Sequence, residues 1–262
     1  MPKKKTRRRN NRRLNRKRTV LFAVVLLLGL LAAGVYQYAR YRYDNRFHTF
    51  SEFAYNRNFP IRGVDASHHN TFIDWRQLKM DNITFAYLKS TEGTDHKDRN
   101  YRENYRLAMD AGLKVGTYHF YTFGKDGNEQ ALHFLRNSKV KSGDLVPAID
   151  VEHSKINKLT CNEDDLVQMI DELKKLEATL FRHFGKHPVI YTNKQCFKMY
   201  IENNFPYNPL WICDLHGEPT ERFGNWQIWQ FSHTGTINGV TDHIDLNYYR
   251  GSAQEFENLL IP

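Results

Sequence analysis

The apolar positions of this chain fall into two regimes. Residues 19–38, TVLFAVVLLLGLLAAGVYQY, carry no charged side chain, and a run of that length crosses the roughly 30 Å hydrocarbon core of a bilayer as a helix. Beyond residue 60 the pattern breaks into short runs rich in β-branched and aromatic residues: GVDAS, ITFAYLKS, KVGTYHFY, LVPAIDVE, PVIYTN, PLWICDL, NWQIWQFS and HIDLNYY. These are eight expected strands. The clearest helical pattern between them is LTCNEDDLVQMIDELKKLEATLFRHFG, where Leu166, Met169, Ile170, Leu173, Leu180 and Phe184 form a stripe and Gly185 supplies a stop. Thr160 and Glu163 have the spacing of a capping box at its start. Three further helices are expected, from Asp98 to Gly112, over NEQALHFLRN and over NKQCFKMYIE.

Strand and helix alternate early, and then the last strands follow one another with connections too short for helices. That order predicts a parallel α/β barrel that becomes strand-rich toward its end, with a doubly wound open sheet as the alternative. The chain divides into a tail (1–18), a transmembrane segment (19–38), a polar and aromatic juxtamembrane stalk (39–60) and one large domain (61–262).

Charge changes the picture in one respect. The net charge is +9 over 262 residues, but eleven Lys and Arg lie between Lys3 and Arg18 with no acid among them; removing those from 38 leaves 27 bases against 29 acids. The basicity belongs to the tail, so the large domain has no electrostatic footprint for nucleic acid. Eleven cations before the apolar run, against Arg40, Arg42 and Arg46 after it, place the N-terminus in the cytoplasm and the large domain in the periplasm or outside the cell. A cleaved secretory leader is the competing reading; it fits less well, because the run exceeds the usual h-region of about 7–15 residues and no A-x-A site precedes a mature start. A nuclear address in KKKTRRR is set aside by the adjacent apolar span. Cys161, Cys196 and Cys213 lack paired spacing, so at most one internal disulfide forms, and buried thiols are expected instead.

The chemistry starts at LVPAIDVE. Residues two apart on a strand share a face, so Asp150 and Glu152 point one way while Ile149 and Val151 point the other. Asp65 closes GVDAS, Lys89 and Glu92 follow FAYLKSTEG, Tyr118 and His119 sit in GTYHFY, and Asp245 lies in HIDLN. If all these strands run parallel, four acids meet at one barrel mouth. Crowded carboxyls cannot all ionise cheaply, so at least one holds a proton near neutrality and can act as a general acid. A protonated carboxyl beside persistent carboxylates is what glycosidic cleavage requires.

The quoted segments resemble the glycoside hydrolase family 25 lysozymes, the Chalaropsis-type muramidases. The resemblance covers about 200 residues in six ordered elements, more than a lone motif carries: Asp65 to Ser67 with IDW at 73–75, KSTEG at 89–93, GTYHF at 116–120, the Asp150 and Glu152 pair, Trp229 with Gln230, and Asp245 to Asn247. It implies a TIM-like barrel of the (β/α)5(β)3 kind and hydrolysis of the β-1,4 bond between N-acetylmuramic acid and N-acetylglucosamine in peptidoglycan. By this carry-over Glu152 is the general acid, Asp150 orients the N-acetyl group or an oxazolinium formed from it, and Asp65 and Asp245 complete an acidic floor. Lys89, Glu92, Tyr118, Tyr191, Trp211 and Gln230 are the expected saccharide contacts. No cofactor or metal is implied, and the partners are glycan strands and, through the apolar span, the bilayer, with the chain acting as a monomer. The sequence departs from the family pattern at Thr71 and Phe72, where many members have Gly, so a wall near Asp65 is expected to differ. Two residues along a strand span roughly 6.6 Å, which leaves both the ~5–5.5 Å retaining and the ~6.5–9.5 Å inverting separation open; the resemblance implies retention assisted by the substrate's acetamido group.

Two other functions are carried beside it. His68, His69, His153 and His243 could join the acids in a metal-dependent deacetylase or amidohydrolase, although no H-x-H or H-E-x-x-H spacing occurs. A tethered glycan-binding module without chemistry is the other. His119 is expected to be a hydrogen-bonded packing residue, and at least half of Trp75, Trp211, Trp226 and Trp229 to belong to the core.

Overall fold

The structure is a computed structural model that describes residues 19–40, 58–158 and 162–262. The basic tail, stalk residues 41–57, Thr160 and Cys161 lie outside the described residues. One unit contains helix α1, Thr19–Arg40, 22 residues with a mean hydropathy of 2.5. It runs two residues past the expected end and is about 33 Å long at 1.5 Å per residue, long and apolar enough to cross a membrane.

The second unit is a closed barrel. All eight expected strands form, as β1 Ile61–Ala66, β2 Phe85–Glu92, β4 Lys114–Phe120, β5 Ala148–Val151, β6 Val189–Asn193, β7 Leu210–Cys213, β8 Trp226–Gly235 and β9 Ile244–Tyr249. A two-residue β3, His96–Lys97, is added at the edge of β2. The sheet order is β1-β9-β8-β7-β6-β5-β4-β2-β3, and β1 closes the ring by pairing with β2. Helices α2 Trp75–Met80, α3 Tyr101–Asp110, α4 Gly127–Asn137, α5 Glu163–Phe184 and the short α6 Lys194–Cys196 follow the first five barrel strands in turn. β7, β8 and β9 then follow without intervening α-helices, and α7, Ala253–Glu257, comes last. This is the (β/α)5(β)3 arrangement expected from the sequence.

One premise is corrected. The strands are not all parallel: β9 runs antiparallel to both β8 and β1. Reversal brings Asp245, near the start of β9, directly opposite Asp65, near the end of β1, and cross-strand partners project from the same side of a sheet. The acid therefore reaches the expected mouth by the opposite strand direction. The start of α5 differs as well. Its N-cap is Asn162, whose side chain accepts from the Asp164 amide at 3.1 Å, so Glu163 is the first helical residue and cannot close a capping box. Gly185 ends the helix in the left-handed region, as expected. A capping box does occur at α7, between Ser252 and Glu255.

Alternation sorts the β5 side chains. Ile149 and Val151 join the apolar layer between barrel and helices, whereas Ala148 points inside with Val189, Tyr191 and Trp211. The Ile73-Asp74-Trp75 element is structural: Ile73 bridges to Val240, Asp74 caps α2, and Trp75 is buried with its indole N–H donated to Asn104. Gly116 lets the Tyr87 ring cross the interior, since a Cβ there would meet the ring at 2.2 Å. The inner cluster holds Ile61, Phe85 and Val189 from strand starts together with Phe256 and Leu259 from the C-terminal segment. Those two residues plug the N-terminal end of the barrel and leave its other end open.

Candidate active site

A cavity of about 270 Å³ opens at the C-terminal end of the parallel strands, lined by Asp65, Tyr118, Asp150, Glu152, Tyr191, Trp211, Gln230, His233 and Asp245. Eight of the ten residues singled out from the sequence line it. Asp65, Tyr118 and Asp150 come from the C-terminal halves of their strands, Glu152 from the position just beyond β5, Tyr191, Trp211 and Gln230 from within β6, β7 and β8, and Asp245 from near the start of the reversed β9.

The floor is a chain of directed hydrogen bonds. The Trp211 indole N–H donates to Asn247 Oδ1 at 2.7 Å, and Asn247 Nδ2 donates to Asp65 Oδ2 at 2.8 Å. Because an indole N–H only donates, it fixes which way the Asn247 amide faces. From the other side the Tyr191 hydroxyl donates to Gln230 Oε1 at 2.8 Å, and Gln230 Nε2 donates to the same Asp65 Oδ2 at 2.9 Å. Both amides reach Oδ2, so a proton held by Asp65 sits on Oδ1. Burial pushes the Asp65 carboxyl well above the usual carboxylate range and Asp245 adds to this, while the Asn247 and Gln230 bonds and His233 pull it down.

Asp150 is buried, with Oδ1 unpartnered among the described residues. Burial and then Glu152 raise its carboxyl well above normal, against the pull of Lys89. Glu152 is half-buried, and its carboxyl is raised first by burial and also by Asp245, with His233 and Lys89 opposing. Tyr118 and Tyr191 are pushed far up by burial and stay neutral. The cavity thus combines carboxyls that burial raises above the ordinary range with fixed hydrogen-bonding groups and a further acid, the set needed to protonate a leaving oxygen and stabilise an electron-poor sugar carbon.

Lys89 and Glu92 do not line the cavity. Lys89 Nζ pairs with Glu92 Oε2 at 2.7 Å and lies 4.6 Å from the centre of the Phe120 ring. Residues three apart would face opposite ways on a regular strand, but the register shift between Lys89 and Thr91 brings them together.

His233 is the site residue that sequence reasoning missed. Its Nδ1 lies 3.2 Å from Asp245 Oδ1 and its Nε2 3.6 Å from Cys213 Sγ, and the Asp245 bond, then Cys213, raise the imidazole to about 11. Simple alternation from the inward Gln230 would turn His233 outward. Register shifts in β8 between Gln230 and Ser232, and again before Gly235, turn it inward. Its only sequence signal is a histidine near Trp229-Gln230.

The histidines of the metal reading lie outside the cavity. His68 Nδ1 is 2.8 Å from Asp98 Oδ2, His153 Nε2 is 3.0 Å from the Tyr200 hydroxyl, and neither these nor His69 or His243 lines the cavity. Among the described residues no group of three or more His, Cys, Asp and Glu has metal-holding geometry. His119 is buried between Thr91 and Gln130, and its imidazole is pushed down by burial to about 3, so it is a neutral packing residue. Trp75, Trp226 and Trp229 lie in the core, and Trp211 alone of the four lines the cavity. Cys196 and Cys213 are free thiols.

An eight-stranded barrel with buried acids gathered at the C-terminal mouth defines a barrel hydrolase of glycosidic bonds. Residues 64–240 match the family description "Glycosyl hydrolases family 25". The chain is similar to "Lysozyme M1" of Streptomyces globisporus, 31% identical over 203 residues and covering 74% of this chain and 69% of that one. Among solved structures it resembles a family 25 glycosyl hydrolase from Bacillus anthracis, with 31% identity, a TM-score of 0.71 and coverage of 78% and 95%. It also resembles a bacterial lysozyme from Streptomyces coelicolor, with 29% identity, a TM-score of 0.70 and coverage of 76% and 96%. This chain belongs to glycosyl hydrolase family 25, and it is a glycoside hydrolase.

Proposed function

We propose that the chain is a membrane-tethered N-acetylmuramidase that cleaves the β-1,4 bond between N-acetylmuramic acid and N-acetylglucosamine in peptidoglycan. The observation that carries this reading is the gathering of Asp65, Asp150, Glu152 and Asp245 in one sugar-sized cavity; relatives named as lysozymes support the substrate. Glu152 protonates the glycosidic oxygen as the bond to the muramic C1 breaks. The substrate's acetamido oxygen closes on C1 from the opposite face, giving an oxazolinium. Asp150 Oδ1, buried without a donor, accepts from the acetamido N–H and offsets the positive charge, since an unpaired buried acceptor gains most from a donor. Asp65 and Asp245 supply further negative potential, and Tyr118, Tyr191, Trp211 and Gln230 shape the sugar site. Water activated by the ionised Glu152 then opens the oxazolinium with net retention.

Helix α1 serves as an uncleaved anchor, with the tail before it in the cytoplasm, residues 39–60 as a stalk, and the barrel on the outer side. Its length and hydropathy, with the eleven cations that precede it, support this topology. A tether confines the enzyme to nearby glycan, which fits wall remodelling. The test is digestion of purified peptidoglycan by the full chain in detergent beside Glu152→Gln. Fragments ending in reducing muramic acid, absent with the variant, are expected; ends at N-acetylglucosamine would overturn the reading. Release of the active barrel from the membrane fraction at extracellular sites would overturn the tether.

A further inference from the structure

Cys213 is the third member of a chain that runs Asp245, His233, Cys213. It ends β7 two residues beyond Trp211, and its side chain packs against the inner cluster of the barrel while remaining half-exposed. Asp245 Oδ1 lies 3.2 Å from His233 Nδ1, and His233 Nε2 faces Cys213 Sγ at 3.6 Å. Two of the three, Asp245 and His233, line the glycan cavity. The glycosidic chemistry described above uses neither the thiol nor the imidazole.

We propose that Cys213 is an activated thiol and a modification site at the glycan mouth, taking hydroperoxides and small soft electrophiles, and that capping its sulfur closes the cavity to substrate. A carboxylate on Nδ1 fixes the imidazole so that Nε2 carries a proton toward the sulfur, the nucleophile, base and orienter arrangement of a reactive cysteine. With a hydroperoxide, the Cys213 sulfur attacks the terminal oxygen and forms an S–O bond as the O–O bond breaks. The departing oxygen takes the proton from His233 Nε2 and leaves as an alcohol or water. Sulfur is oxidised by two electrons to the sulfenic acid, the peroxide is reduced by two, and a thiol reductant restores the starting state. Cys196 is an internal control, since it is fully buried and burial raises its thiol to about 12.

The loss of cleavage rests on the muramidase reading, whereas the labelling does not. The full chain, purified in detergent and freed of reductant, is treated with hydrogen peroxide, trapped with dimedone or alkylated with iodoacetamide, and mapped by mass spectrometry while peptidoglycan cleavage is followed. Cys213 should be labelled at least tenfold faster than Cys196, and cleavage should fall in step and return with dithiothreitol after peroxide. Cys213→Ala should cleave normally and resist both reagents, and His233→Gln should slow labelling of Cys213 at least tenfold. Labelling of Cys213 no faster than Cys196, an unchanged rate in His233→Gln, or full inactivation of Cys213→Ala would overturn the proposal. A reduced chain that never cleaves peptidoglycan would instead overturn the muramidase reading, and the labelling rates would still decide on the thiol.

Discussion

Replacing Asn247 by Leu tests the floor of the cavity. Asn247 is fully buried and holds two bonds in series, accepting from Trp211 at 2.7 Å and donating to Asp65 Oδ2 at 2.8 Å. Leu is close in volume, so packing changes little and the loss is polar. The Trp211 N–H is left buried without an acceptor and Asp65 keeps one donor of two; an orphaned buried group costs about 1–3 kcal/mol. Urea unfolding of the barrel should therefore show a loss of about 1–3 kcal/mol, carried by the midpoint with an unchanged slope. The sign on catalysis is independent of this loss. The Asn247 bond lowers an Asp65 carboxyl that burial and Asp245 hold high, so removing it raises the carboxyl further. Asp65 then ionises at higher pH, and the acid limb of the kcat/KM profile should move toward higher pH. Unchanged stability together with an unmoved acid limb would refute the network; lost stability with an unmoved limb would refute the role of ionised Asp65.

Other consequences follow from the same geometry. Asp150→Asn should abolish cleavage yet stabilise the barrel at pH 7 by about 0.5–2 kcal/mol. Asp150 has a raised native carboxyl, so its penalty is present above that raised value and absent below the unfolded value near 3.9; the gain should vanish in acid, and thermal melts at pH 7 and pH 3 read the difference. Phe256→Ala removes the ring that seals the N-terminal end of the barrel and should cost about 3–5 kcal/mol with kcat/KM unchanged in the folded fraction, measured by unfolding and cleavage on the same sample. EDTA should leave cleavage unchanged, and inactivation reversed by zinc would restore the metal-dependent reading.

How much of this was legible in the sequence depends on which property is local. The eight strands were, because apolar and β-branched runs declare themselves over a few residues, and the split of Ile149 and Val151 from Asp150 followed from a period of two. Strand direction is not local, and the antiparallel β9 emerges only when the ring closes on β1. Alternation also fails wherever a strand gains a residue. The shifts in β8 hid His233, and the shift in β2 turned Lys89 and Glu92 toward each other. The α5 cap was misplaced because Asn162 lies within the same polar run as Thr160 and offers an equally good acceptor one residue before the helix.

The most direct test of the central claim, that a proton on Glu152 cleaves the muramic bond, is digestion of peptidoglycan in H₂¹⁸O by the full chain and by Glu152→Gln, with the labelled ends identified by mass spectrometry. The wild-type chain should place a single ¹⁸O on C1 of N-acetylmuramic acid, and the variant should be slower by about 10²–10⁴-fold, the usual contribution of a general acid. Label on N-acetylglucosamine, or equal rates from the two proteins, would contradict the account.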